Sequence, residues 1–182
     1  MKIDTKCILA YTSLYVDPDG TIKPCCIADS FEDDKNWNDH DTIEGLYNSP
    51  QLKAVRKGME EGNPPSVCDV CFKKGNMLKD NWNEMWGDKF DDPTLINPDY
   101  SINKLQYLDV RFSNLCNLRC RMCGPSLSSS WHDELKEIYG TGFSDNTQKF
   151  IKIGKTPVDK FKDEDLDSIQ HLYLAGGEPF IS

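Results

Sequence analysis

Hydrophobic and polar positions along this chain change their period from segment to segment, and each change marks an expected element. Cys7 to Val16 is rich in β-branched and aromatic residues, Asp17-Pro18-Asp19-Gly20 is a turn sequence, and Thr21 to Cys25 returns, so residues 1–26 read as a β-hairpin. The Asp-x-Asp-Gly run lacks the later acidic ligands that a calcium loop needs, which leaves the turn. Phe31 to His40 is polar and acidic, with Asp33, Asp34, Asn36, Asn38 and Asp39, and reads as a surface loop. A short helix is expected over Thr42 to Tyr47. A second opens with Ser49 as N-cap and Pro50 at its first position, buries Leu52, Val55 and Met59 on one face, and stops at Gly62. Leu78, Trp82, Met85, Trp86 and Phe90 recur at helical spacing over residues 75–90, where their aromatics read as core. Asp91-Asp92-Pro93 and Asn97-Pro98 then punctuate a linker.

The second half alternates strand, helix and strand. Leu105 to Phe112 is an extended apolar run, and Ile169 to Ala175 is apolar in the manner of a buried parallel strand. Between them, Gly124-Pro125-Ser126 opens a helix whose Leu127, Trp131, Leu135 and Ile138 fall at intervals of three or four, ended by Gly140 and Gly142. His132 beside that stripe reads as an ordinary surface or satisfied histidine. The polar insert from Thr141 to Asp167, with Lys152, Lys155, Lys160 and Lys162 among acids, reads as a solvated connection.

Candidate chemistry concentrates in the loop from Asn114 to Pro125, which sets Cys116, Cys120 and Cys123 in a CxxxCxxC array at the carboxyl end of the Leu105 strand. In parallel α/β folds, chemistry sits there. Three thiols leave a structural zinc shell one ligand short, whereas an iron-sulfur cluster held by three thiolates keeps one iron open. Upstream, Cys68-Asp69-Val70-Cys71 brings two more sulfurs within reach of one metal.

Composition narrows the setting. Eight cysteines without a secretory signal favour metal binding over a disulfide framework, with the cytoplasm as the expected compartment. The formal net charge of -9 argues against a nucleic-acid or membrane surface, and no apolar run approaches the roughly 18 residues of a membrane span.

The pair formed by CxxxCxxC after one strand and Leu174-Ala175-Gly176-Gly177-Glu178-Pro179 after the next resembles the signature of the radical S-adenosylmethionine (SAM) superfamily. That resemblance implies a four-iron four-sulfur cluster on Cys116, Cys120 and Cys123, whose open iron takes the amino and carboxylate groups of SAM. It also implies that Gly176, Gly177 and Glu178, followed by Pro179, hold the methionine amino group. Family members usually carry an aromatic residue just before the third cysteine, where this chain has Met122. The spacing of Cys7, Gly20 and Cys25 and the later Cys68 and Cys71 is similar to the SPASM and twitch auxiliary-cluster domains, implying a second four-iron four-sulfur cluster. Either Cys25 or Cys26 could be its ligand, and a four-cysteine zinc site is the alternative at the same spacing.

The resemblance implies an α/β fold: a small α+β cysteine-rich cluster domain over residues 1–90, a linker over 91–104, and the start of a partial (β/α)6 barrel over 105–182. A barrel of six such units needs about 200 residues, of which this chain supplies about 80, so the expectation is an N-terminal fragment of a larger enzyme. The implied activity is reductive cleavage of SAM to a 5′-deoxyadenosyl radical acting on a peptide or protein, with flavodoxin or ferredoxin as reductant. The competing expectation is a non-catalytic zinc or iron-sulfur module.

Overall fold

The computed structural model describes residues 5–17, 19–32, 42–125, 127–140 and 166–178. Four short strands form one mixed sheet: β1 (Ser13–Val16), β2 (Ile22–Lys23), β3 (Tyr107–Val110) and β4 (His171–Leu174), in the order β2-β1-β3-β4. β2 runs antiparallel to β1, while β1, β3 and β4 are parallel. The architecture is thus mixed α/β.

The hairpin forms where the turn sequence predicts it. The Gly20 amide donates to the Asp17 carbonyl at 2.8 Å, the Asp17 amide donates to Thr21 at 2.9 Å, and Gly20 takes the left-handed φ of 89° that the turn requires. Its first arm differs from expectation. Leu9–Thr12 is a helical turn, α1, and only Ser13–Val16 is strand. The whole run from Ile8 to Val16 is buried, so no alternation of exposed and covered positions distinguishes helix from strand there. The Thr12 hydroxyl, by donating to the Ile8 carbonyl at 2.8 Å, favours the turn.

Helix α2 (Ile43–Tyr47) begins one residue after the expected start, with Thr42 as a cap that accepts from the Gly45 amide, and α3 (Pro50–Glu60) begins at its expected cap, Ser49 accepting from the Leu52 amide. Leu52, Val55 and Met59 of α3 are buried as the spacing predicts. A 3-10 turn at Ser66–Cys68 leads into α4 (Asp69–Phe72). The helix expected over 75–90 is shorter, α5 being Leu78–Trp86, with residues 87–91 tightening into 3-10 geometry and Met85 exposed.

The last elements are less covered than their hydrophobicity predicts. Helix α6 (Trp131–Tyr139) starts well after Gly124, has no buried residue, and leaves Ile138 exposed. Strand β4, apolar enough to predict burial, instead lies at the sheet edge, with Leu172 56% and Tyr173 53% exposed. Apolarity in a strand reports what a partner surface would cover, and among the described residues β4 has a neighbour on one side only. Most of the polar acidic loop and of the lysine-bearing insert lie outside the described residues.

Two buried clusters flank α3. One joins Leu14, Val16, Leu108 and Val110 of the sheet to Ile43, Leu46, Leu52, Ile102 and Leu105. The other gathers Cys7 to Tyr11 with Val55, Met59, Cys68, Trp86 and Leu95. The segment read as a linker contributes Leu95 and Ile102 to these cores, and β1 pairs directly with β3 across it. Residues on both sides of 91–104 therefore build one sheet.

Arg56 fastens these pieces. Its side chain is fully buried, with Nε donating to the Tyr100 carbonyl, Nη1 to Ala10 at 3.2 Å, and Nη2 to the Tyr47 carbonyl at 3.0 Å and Asn48 Oδ1 at 3.2 Å. Burial lowers its pKa to about 10, which leaves it charged at neutral pH. Tyr100 holds a left-handed φ of 65°, a conformation costing about 1 kcal/mol or more in a non-glycine residue, and its carbonyl meets the guanidinium. Replacing Arg56 by Met strands three carbonyls in the core. The expected loss is about 3 kcal/mol or more, read as a lower denaturant midpoint with an unchanged slope.

Candidate metal centres

The cysteines fall into two sets. Cys7 sits just before α1, Cys25 just after β2, and Cys68 and Cys71 in the 3-10 turn and α4. Folding brings these four together: Cys25 and Cys71 act electrostatically on Cys68, Cys71 acts on Cys7, and Cys7 acts on both Cys25 and Cys68. Cys7 and Cys68 are buried within the second hydrophobic cluster, with Cys25 and Phe72 packed against it. Burial pushes the Cys7 thiol up to about 11 and Cys25 up to about 12, and it raises Cys68 as well. Opposing that, the backbone amides of Leu9 and Ala10 beside the Cys7 sulfur and of Ile27 and Ala28 beside that of Cys25 favour the thiolates, although the Ala10 and Ala28 amides themselves donate to the Cys7 and Cys25 carbonyls at 3.0 and 3.3 Å. Amides aimed at sulfur stabilise thiolates once a metal displaces the protons. The donor set therefore has the chemistry of a four-thiolate centre, although among the described residues no three of these sulfurs are closed around a single metal ion.

Cys26 stands apart from this set. It is exposed, and after burial its strongest electrostatic neighbours are Asp109 and Arg111. Those residues share a sheet face with Tyr15 and Tyr173, which pair across the parallel strands with Asp109. Asp109 is 4% exposed, and burial raises its carboxyl to about 6 against the pull of Arg111.

The second set lies on one loop between β3 and α6. Cys116 and Cys123 are partly covered, Cys120 is exposed, and Met122 is 96% exposed. The loop's own backbone is pinned closely. The Ser129 amide donates to the Asn114 carbonyl at 2.7 Å, Asn114 Nδ2 to Pro125 at 3.1 Å, and the Cys116 amide to Ser129 Oγ at 3.1 Å. Ser128 Oγ donates to the Leu118 carbonyl at 2.6 Å, Ser130 Oγ to that of Cys116, and Trp131 Nε1 to that of Cys120 at 3.2 Å. The Leu118 amide points at the Cys116 sulfur at 3.3 Å. Among the described residues, no group of three or more His, Cys, Asp and Glu side chains is closed around a single metal ion. Three thiols within eight residues of one chain supply the donor chemistry of a three-thiolate cluster site.

The turn at Gly176-Gly177-Glu178 follows β4 and packs against this loop. The Gly177 amide donates to the Leu127 carbonyl at 2.8 Å and the Glu178 amide to that of Leu115 at 2.7 Å. Both glycines have left-handed φ, 76° and 61°. A Cβ on Gly177 would stand 2.3 Å from the Leu115 carbonyl oxygen, and one on Gly176 2.9 Å from Arg111 Cβ. Glycine is thus required twice over, by conformation and by space. Both loops lie at the carboxyl ends of neighbouring parallel strands. Pro179 lies outside the described residues.

Sequence reasoning missed Ser128, Ser129 and Ser130 as the loop's clamps, although three serines ahead of an amphipathic helix are a capping signal. It also read α5 only as core. Asn83 on that helix accepts from the Ile8 amide and donates to the Lys6 carbonyl, both at 2.8 Å, bracketing Cys7.

Residues 7–72 match the family model described as SPASM, an iron-sulfur cluster-binding domain. The matched segment contains Cys7, Cys25, Cys26, Cys68 and Cys71, covers a little over a third of the chain, and ends before α5 and the Cys116 loop. Neither a curated protein nor a solved structure shows a significant match. Over residues 7–72 the chain is therefore similar to an iron-sulfur cluster-binding domain of a kind typical of radical SAM enzymes. No helix among the described residues is long and apolar enough to cross a membrane.

The packing of Gly177 gives a direct test. Gly177→Ala is expected to speed hydrogen exchange at the Glu178 amide by about tenfold or more, because the contact to Leu115 must open. Gly75→Ala, which shares a positive φ but meets nothing within 4 Å, should leave that amide unchanged.

Proposed function

We propose that this chain belongs to a radical SAM enzyme with an N-terminal auxiliary cluster, and that the observation carrying this reading is the Gly176-Gly177 turn locked onto the three-thiol loop. Cys116, Cys120 and Cys123 would hold a four-iron four-sulfur cluster through three thiolates, leaving one iron for SAM. When bound, that cluster supplies one electron for reductive cleavage of a carbon-sulfur bond in SAM, releasing methionine and a 5′-deoxyadenosyl radical.

The chain's own part is binding and orientation. The amides of Gly177 and Glu178 are spent on Leu127 and Leu115, so this turn offers an ammonium group its acceptors, the carbonyls and the Glu178 carboxylate. The serine clamps hold the thiol loop's carbonyls inward, which fixes where the sulfurs can reach. Met122, almost wholly exposed, would meet adenine by apolar contact rather than aromatic stacking.

The N-terminal set would hold a second four-iron four-sulfur cluster through Cys7, Cys25, Cys68 and Cys71. Cys25 is favoured over Cys26 because its charge couples to the Cys7 and Cys68 sulfurs, whereas the strongest electrostatic neighbours of Cys26 are Asp109 and Arg111. The match to an iron-sulfur domain supports a cluster there over zinc. This cluster would relay electrons or anchor a peptide or protein substrate, with a flavodoxin or ferredoxin as electron donor in the cytoplasm. The reading that competes is a cluster-binding module without catalysis, favoured by a family match confined to residues 7–72.

The two readings separate on the response to SAM. After anaerobic reconstitution and reduction, SAM is expected to change the electron paramagnetic resonance signal of one cluster, and that response should vanish in Cys120→Ala while the other signal persists. A fully loaded protein whose spectrum ignores SAM would favour the non-catalytic module. Formation of 5′-deoxyadenosine on adding SAM and reductant would establish the cleavage itself.

A further inference from the structure

We propose that α5, which lies beyond the segment matched as a cluster domain, completes the pocket of the N-terminal cluster: Asn83 fixes Cys7 in its ligating position, and Lys79 supplies a buried positive charge that makes the cluster easier to reduce. This rests on the reading that Cys7, Cys25, Cys68 and Cys71 hold an iron-sulfur cluster.

Lys79 and Asn83 are four residues apart and so share one face of α5. Asn83 binds the backbone on both sides of Cys7, through the Lys6 carbonyl and the Ile8 amide. A side-chain amide that grips both flanks of one residue limits the rotation of that residue's backbone. Cys7 precedes α1 in irregular chain. The apolar core holds its side chain and the residues from Ile8 to Tyr11, and the clamp removes the backbone freedom that remains.

Lys79 is 8% exposed, an unusual position for an ammonium group. Its Nζ lies 5.5 Å from the ring centroid of Phe72, the residue after Cys71, and its charge acts on the Cys7 sulfur. It pairs with Asp80 at 2.6 Å, but the Asp80 side chain is 67% exposed and screened by water. The other carboxylate close to the sulfurs, Asp69, is paired with Lys73 at 2.9 Å. A cluster held by four thiolates is negative, and reduction adds a further electron, so a buried cation beside it stabilises the reduced form more than the oxidised one.

The test uses the full chain with Cys116, Cys120 and Cys123 all changed to Ala, so that only the N-terminal cluster remains, and reads iron content, chelator resistance and the midpoint of a redox titration. The parent protein should bind about four irons. Lys79→Gln and Lys79→Met should shift the midpoint to more negative potential, and Lys79→Arg should leave it in place. Asn83→Ala should lose iron to a chelator about tenfold faster. Loss of iron from both neutral Lys79 variants while Lys79→Arg stays loaded would equally mark the charge as the operative property. An unmoved midpoint in loaded neutral variants, or an equal shift in Lys79→Arg, overturns the role given to Lys79. Unchanged iron retention in Asn83→Ala overturns the clamp. A parent protein that binds no iron removes the cluster reading itself, and this inference falls with it.

Discussion

One buried guanidinium holds the described fold together. Arg56 donates to the carbonyls of Ala10 in α1 and Tyr47 at the end of α2 and to that of Tyr100 in the segment before β3, so a single planar group fixes three stretches of chain distant in sequence. Burying a cation is unfavourable unless its donors are met, and here carbonyl oxygens meet them. Both candidate centres depend on the segments it fastens. Cys7 lies three residues before Ala10, and the three-thiol loop comes after the strand that the Tyr100 segment leads into.

From that junction the sheet sets the geometry of the second site. Because β3 and β4 are parallel, the loops after them leave the same edge, and the chain must bring them together without a side chain between them. Two glycines solve this, since their bare Cα atoms let the turn rest on the backbone of Ser113 and Leu115 while the Gly177 and Glu178 amides donate to the Leu127 and Leu115 carbonyls. The first site is solved differently. Its sulfurs come from three separate segments, gathered by an apolar cluster that raises thiol pKa values, so that metal uptake must release protons. One site is thus loop-borne and open, and the other is built into the core.

Much of this was legible in the sequence, and the exceptions share a cause. The cap at Ser49, the stop at Gly62 and the β1–β2 turn were readable because local chemistry decides them. The N-terminal cysteine set was legible through its resemblance to auxiliary-cluster domains, and Cys116, Cys120 and Cys123 through their closeness on one loop. The α1 turn was not, since a run that is buried on every side carries no period. The exposure of β4 and α6 was misjudged because apolar content predicts a covering surface, not whether one is present. The parallel pairing of β1 with β3, the buried Arg56 and the Asn83 clamp are long-range facts, and a single sequence has no local signal for them. The matched SPASM segment supports the N-terminal site independently of any of these structural features.

The central claim is that seven of the eight cysteines, all but Cys26, serve two separate iron-sulfur clusters. Iron and acid-labile sulfide per chain, measured after anaerobic reconstitution of the unmodified protein and of a variant with Cys68 and Cys71 changed to Ala, test it most directly. The account predicts about eight irons for the first and about four for the second. About four irons in the unmodified protein, falling to none when Cys68 and Cys71 are removed, would show a single cluster and contradict it.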